Sequence, residues 1–133
     1  MKTEFICPYC KGYLKANTKV ILSVRKADGS RGLVLLNPKL GEYDIIKHKS
    51  FELKQGELVD LLCPLCHSNL TDHTVSESLA RIIMVDEKGQ EYSIYFSEIY
   101  GMKCTYKILG KSMESFGEDS ENYGNFWGVG PRY

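Results

Sequence analysis

Two short stretches decide the fold, Cys7-Pro8-Tyr9-Cys10 and Cys63-Pro64-Leu65-Cys66. Both continue in the same way, as Cys-Pro-x-Cys-x-x-x-Leu ending at Leu14 and at Leu70. Four thiolates presented as two Cys-x-x-Cys pairs are what a closed tetrahedral metal site requires. We call these stretches the first and second knuckle. The sequence predicts that the rest of the chain brings them together.

The predicted ligands of one metal ion are the four knuckle cysteines, Cys7, Cys10, Cys63 and Cys66. Zinc is the predicted ion, because closed sites of four cysteines are typical of structural zinc. Four cysteine ligands leave no open position for water, so no catalytic residue is assigned and the protein is not expected to be an enzyme. Iron is the competing ion, since the same four-sulfur geometry serves electron transfer. Two unrelated pairs of buried or oxidised cysteines are the remaining alternative.

Strand patterns adjoin both knuckles. Residues 18–26 alternate between apolar and polar faces, Leu33 to Leu36 forms a returning strand, and residues 58–62 lead directly into the second knuckle. A strand that delivers a Cys-Pro-x-Cys knuckle resembles the zinc-ribbon and rubredoxin-like proteins, in which two such knuckles clamp one metal. The resemblance covers only the knuckles and their adjoining strands, and it implies the same four cysteines as ligands. The 52 residues between Cys10 and Cys63 exceed a simple connecting hairpin, which predicts inserted strands.

Three further strands are predicted after the second knuckle. Residues 79–86 and 91–97 are separated by turn residues, and a third strand contains Cys104, Tyr106 and Ile108 on one face. The predicted fold is therefore mostly β, a zinc-ribbon-like site with inserted antiparallel strands and a C-terminal β-meander. The metal-stabilised β domain is expected to span residues 1–110. Cys104 is the odd thiol, and its apolar face predicts a buried small hydrophobe.

A C-terminal tail is predicted over residues 111–133, where glycine, serine and acidic residues become frequent. The tail holds more aromatic side chains than a purely solvating segment would, namely Phe116, Tyr123, Phe126, Trp127 and Tyr133. We expect it to dock either on its own β domain or on a partner. Three of these side chains are the predicted partner-binding residues, Phe126, Trp127 and Tyr133.

Details of the knuckles give further expectations. Gly12 follows Cys10 where the chain must turn sharply so that backbone amides point at the sulfurs. Tyr9 and Tyr13 are expected to pack over the sulfurs and exclude water. His67 directly follows the last knuckle cysteine, and it is expected to be solvated rather than a ligand.

Charge and composition restrict the function. The 133 residues carry 17 basic and 17 acidic side chains, so no global field attracts nucleic acid or an anionic membrane. Residues 1–62 carry a net charge of +4, which leaves a nucleic-acid partner as an alternative. The odd count of five cysteines and the lack of an apolar leader predict a cytoplasmic protein. The expected function is a non-enzymatic zinc protein that binds a protein partner; an iron electron carrier is the other alternative.

Overall fold

The computed structural model describes residues 3–16, 18–40, 43, 45–73, 75 and 77–117. These residues contain ten β-strands, joined by turns and loops, and no helix. In chain order the strands are β1 Glu4–Ile6, β2 Lys15–Ala16, β3 Lys19–Arg25, β4 Arg31–Leu36, β5 Ile45–Lys47, β6 Asp60–Leu62, β7 Leu79–Val85, β8 Glu91–Ser97, β9 Thr105–Leu109 and β10 Ser112–Phe116. The prediction of a mostly β fold is confirmed.

The strands form two antiparallel sheets of five strands each. Sheet A has the order β1-β7-β8-β9-β10, and its last four strands are consecutive in the chain, as the predicted meander requires. Sheet B has the order β2-β3-β4-β5, and β6 also pairs with β3. Because β4 occupies one edge of β3, the short strands β2 and β6 share its other edge.

The core lies between the sheets because their strands alternate. Val20, Leu22 and Val24 of β3 are buried, while the residues between them are partly exposed. They belong to one apolar cluster with side chains of β7 and β8, including Ile82 and Ile94. A second, smaller cluster consists of Leu79, Tyr95, Cys104 and Tyr106.

The described chain consists of two similar halves. The first half contains the first knuckle and β3 to β5, and the second half contains the second knuckle and β7 to β9. Val20 pairs with Leu36, and 60 residues later Ala80 pairs with Phe96. Leu36 also pairs with Ile45, and Phe96 pairs in the same way with Thr105. The repeat seen in the knuckle sequences therefore extends through three strands of each sheet.

The halves exchange their first strands. β1 leads into the first knuckle but pairs with β7 of the second half, with Phe5 opposite Met84. β6 leads into the second knuckle but pairs with β3 of the first half, with Leu61 opposite Val24. Each sheet is thus completed by a strand of the other half, and each knuckle follows a strand of one sheet and precedes a strand of the other.

The C-terminal end of sheet A lies inside the stretch predicted to be a tail. β10 pairs with β9 along five residues, so the sheet continues to Phe116. The predicted partner-binding residues Phe126, Trp127 and Tyr133 lie outside the described residues. Within the described ranges, no helix is long and apolar enough to span a membrane.

Candidate metal centre

Each knuckle is a tight backbone loop that begins where a short strand ends. In the first knuckle the Lys11 amide donates to the Cys7 carbonyl at 3.0 Å, and the Cys7 amide donates to the Gly12 carbonyl at 3.0 Å. The second knuckle repeats both hydrogen bonds, at 2.9 and 3.0 Å, with the equivalent residues Cys63, His67 and Ser68. The two loops therefore present their cysteines with matching backbone geometry.

The sharp turn is made one residue earlier than predicted. Lys11 has φ 62° and its equivalent His67 has φ 66°, so both occupy the left-handed region that Gly12 was expected to occupy. Gly12 lies against the second knuckle, because a Cβ there would come into close contact with the end of the exposed Leu65 side chain and with Cys10 Sγ. A side chain at position 12 would therefore require Leu65 to change its conformation.

Four sulfur atoms converge where the knuckles meet. Cys7 Sγ lies 3.8 Å from Cys66 Sγ, Cys10 Sγ lies 3.8 Å from Cys63 Sγ, and all four sulfurs lie within 4.8 Å of one another. A disulfide needs about 2.05 Å, so neither contact is a disulfide, and all four cysteines are free. Four sulfurs at about 2.3 Å from a central zinc are about 3.8 Å apart in a regular tetrahedron. The spacing of the sulfurs therefore fits a tetrahedral metal ion.

Backbone amides point at the sulfurs, as expected. The Tyr9 and Cys10 amides donate to Cys7 Sγ at 3.3 and 3.4 Å, and the Gly12 amide donates to Cys10 Sγ at 3.3 Å. The second knuckle repeats the first pair of bonds, from Leu65 and Cys66 to Cys63. Amide donors of this kind orient thiolate ligands and partly offset their negative charge.

Burial separates an inner from an outer pair of cysteines. Cys7 and Cys63 are fully buried, whereas Cys66 is half-buried and Cys10 is exposed. Burial raises the pKa of Cys7 to about 12 and also raises the pKa of Cys63. Hydrogen bonds from Ser68 lower the pKa of Cys66 to about 6. A buried thiolate needs a cation beside it, so a bound metal ion would supply the charge that the inner cysteines require.

The tyrosines leave the outer side of the cluster exposed. Tyr9 is 57% exposed and Tyr13 is 68% exposed, and Cys10 beside them is exposed as well, so the expectation that the tyrosines exclude water from the sulfurs is wrong at Cys10. Water is instead kept from the inner cysteines by the apolar core, to which both Cys7 and Cys63 belong. The outer side of the site remains open to solvent at Cys10.

Other candidate side chains lie elsewhere. Within the described residues, the metal-ligating cluster contains only the four knuckle cysteines. His67 is exposed, in agreement with its prediction. Cys104 is 1% exposed and packs in the smaller apolar cluster with Tyr95 and Tyr106. Its predicted environment, a buried apolar one, is the environment that it occupies.

Two polar residues near the second knuckle escaped the sequence analysis. The Ser68 hydroxyl lies 3.3 Å from Cys66 Sγ. Glu98 is buried, and its carboxylate accepts hydrogen bonds from the Leu61 amide at 2.8 Å and from the Thr71 hydroxyl at 2.7 Å. Burial raises the pKa of Glu98 to about 7. The alternation that buries Ile94 reaches Glu98 four residues later, and this period could have revealed its inward position.

The arrangement as a whole can hold one metal ion in a complete shell of four sulfurs. Such a shell fixes the two knuckles to each other, and with them the ends of the exchanged strands. Comparison of the chain with protein-family models, with curated proteins and with solved structures finds no match.

Proposed function

We propose that this chain is a non-enzymatic zinc protein, in which a structural site of four cysteines supports a protein-interaction module. The observation that carries the proposal is the 3.8 Å spacing of the sulfurs, with amides donating to them from both knuckles. A saturated shell of thiolates leaves no site for an activated water, which argues against hydrolysis. The bound metal would then add substantially to the stability that the core of this domain supplies.

Metal content tests the first part of this proposal. Protein purified without chelators should contain about one zinc per chain by elemental analysis. A visible chromophore with stoichiometric iron would instead establish the electron-carrier alternative, since tetrahedral sulfur sites also hold iron. Protein that contains neither metal at neutral pH, and that takes up none when refolded with zinc, would refute the metal site itself.

The outer face of sheet B supports the second part, an interaction with a protein. Leu33 is 53% exposed and Ile46 is 51% exposed, on the face of the sheet opposite the core. The second half offers a comparison for this surface, because Tyr106 stands at the position equivalent to Ile46. Tyr106 is 1% exposed beneath its neighbours in the smaller cluster. The same face is therefore covered in one half and uncovered in the other.

A pull-down with the intact protein tests this interaction surface. We expect a Leu33→Lys variant to lose a partner that the wild-type protein captures, because a lysine would bury a charge in the interface. Leu58→Lys is the matched control, since Leu58 is 50% exposed but lies outside both sheets. Equal capture by all three proteins would reject this face as the binding surface. Capture of DNA or RNA with a strong salt dependence would favour the nucleic-acid alternative.

A further inference from the structure

An apolar cleft opens between the two sheets, away from the metal centre. Its volume is about 260 Å³. Its inner walls come from both sheets, with Val24 and Val34 on one side and Ile82 and Ile94 on the other. An apolar cavity of about 150 Å³ is large enough to hold benzene. The cleft therefore has room for a larger aromatic group, such as an indole.

The mouth of the cleft is polar. Tyr43 and the exposed Lys39 and Lys103 line it. Glu98 also lines the cleft, but its carboxylate is buried and accepts hydrogen bonds from within the domain. The Tyr43 hydroxyl lies 2.9 Å from the Thr105 hydroxyl. A cleft with apolar walls and cationic side chains at its mouth suits an apolar group attached to an acidic segment.

The last described residue of the chain lies at this mouth. The Tyr43 hydroxyl donates to the Phe116 carbonyl at 3.1 Å. Gly117 follows with φ 97°, and a Cβ there would collide with the Lys103 carbonyl and the Tyr43 hydroxyl. Glycine is therefore required where the chain passes the rim of the cleft. Residues 118–133 begin at that point.

The composition of residues 118–133 matches both parts of the cleft. Glu118, Asp119 and Glu121 come first and are opposite in charge to the two lysines at the mouth. Trp127 follows ten residues after Gly117, so the chain between them can span up to about 33 Å. That length is more than twice the radius of gyration of a domain of this size, about 13 Å, so the segment is long enough to reach any part of the cleft.

From these observations we infer that the C-terminal segment docks on its own domain, with its acidic residues at the mouth and the Trp127 indole in the cleft. A tethered segment binds at the high effective concentration that its linker provides, so modest contacts suffice. This inference is independent of the metal and of the partner surface on sheet B.

Fluorescence of the intact protein tests the inference, because Trp127 is its only tryptophan. We expect the blue-shifted emission of a buried indole, with several-fold weaker acrylamide quenching than in the urea-unfolded chain. The emission should not change with protein concentration. A Leu40→Glu change in the wall of the cleft and a Lys103→Glu change at its mouth should each expose the indole. Leu33→Glu, on the outer face of sheet B, is the matched control and should leave the emission unchanged.

Each contrary result would show that the cleft binds a different group or that the segment binds a different surface. Solvent-exposed emission in the wild-type protein would overturn the inference, as would native mass spectrometry that shows a small apolar molecule retained in its place. Burial that appears only as the protein dimerises would identify a second copy as the binding surface. Sensitivity to Leu33→Glu in place of both other variants would locate the segment on sheet B. Lys103→Glu alters an exposed side chain, so it remains informative if Leu40→Glu fails to fold.

Discussion

Cys104 and Cys63 are both buried cysteines, yet their surroundings predict opposite consequences of substitution. Cys104→Ala should leave the metal content unchanged and cost only about 1–2 kcal/mol of stability through lost packing. Cys63→Ala should abolish stoichiometric metal, because three cysteines remain at a site built for four. Elemental analysis and urea unfolding of the two variants measure both effects. Loss of metal from the Cys104 variant would contradict the assignment.

Glu98 makes stability depend on pH. Its pKa is about 7 in the folded protein, against an ordinary value of 4.5, because burial disfavours the charged form. The folded state therefore binds the proton more tightly than the unfolded state. The resulting stability is fully present below pH 4.5 and is lost as the pH rises through 7, by about 3 kcal/mol in total.

A Glu98→Gln variant should lack this pH dependence. Between pH 5 and pH 8, the unfolding free energy of the wild-type protein should fall by about 2–3 kcal/mol relative to that of the variant. Comparing the two proteins at each pH removes the separate effect of acid on the knuckle thiolates, which both share. Parallel stability curves across this interval would show that Glu98 does not titrate there.

At single positions, the sequence predicted burial where a residue lies in an alternating apolar pattern. The burial of Cys104 was predictable because it alternates with Tyr106 and Ile108. The exposure of Tyr9 and Tyr13 was not, since it depends on the direction in which each knuckle faces the rest of the molecule. Glu98 escaped notice because a carboxylate is rarely buried without a neighbouring donor, and its donors come from distant residues.

The knuckle loops are strained at one residue each, and this strain is open to test. A residue with a Cβ loses about 1–2 kcal/mol in the left-handed region, and glycine avoids the loss. Lys11→Gly and His67→Gly should therefore each raise the unfolding free energy, by about 0.5–1 kcal/mol after the greater freedom of glycine in the unfolded chain is offset. Metal content should not change, since both backbones keep their hydrogen bonds.

Lys19→Gly is the control for these knuckle variants. Lys19 lies in β3, where glycine should lower stability by about 0.5–1 kcal/mol. Destabilisation by all three glycine substitutions alike would show that the knuckle residues carry no strain.

At the level of elements, alternation located most strands correctly. The predicted strand at residues 91–97 coincides with β8, and the one at 18–26 contains β3. β10 was not predicted, because its exposed polar residues have the composition of a tail and it is held by pairing with β9 alone. The partners of β1 and β6 were also beyond prediction, since strands of three residues carry no signal for a particular neighbour.

Across the whole molecule, the knuckle repeat gave the only sign of duplication in the sequence. The correspondence between β3 to β5 and β7 to β9 is carried by pairing register, whereas the side chains at equivalent positions differ, as Ile46 and Tyr106 show. The sulfur cluster was predictable because two Cys-x-x-Cys pairs are the usual ligand pattern of a metal site with four cysteines. The cleft was not, because its walls come from strands far apart in the chain.

Because each half supplies a strand to the other half's sheet, we expect the two halves to remain associated even without the peptide segment that joins them. The exposed turn at Lys54 to Gly56 lies in that segment, and Gly56 has φ 86° there. A protease site inserted in this turn should yield two fragments that remain associated after cleavage, each with one knuckle and half of the metal ligands. Gel filtration should show one species while metal is bound. Because cleavage makes folding bimolecular, chelation should separate the fragments at high dilution, and separation before chelation would disprove their mutual dependence.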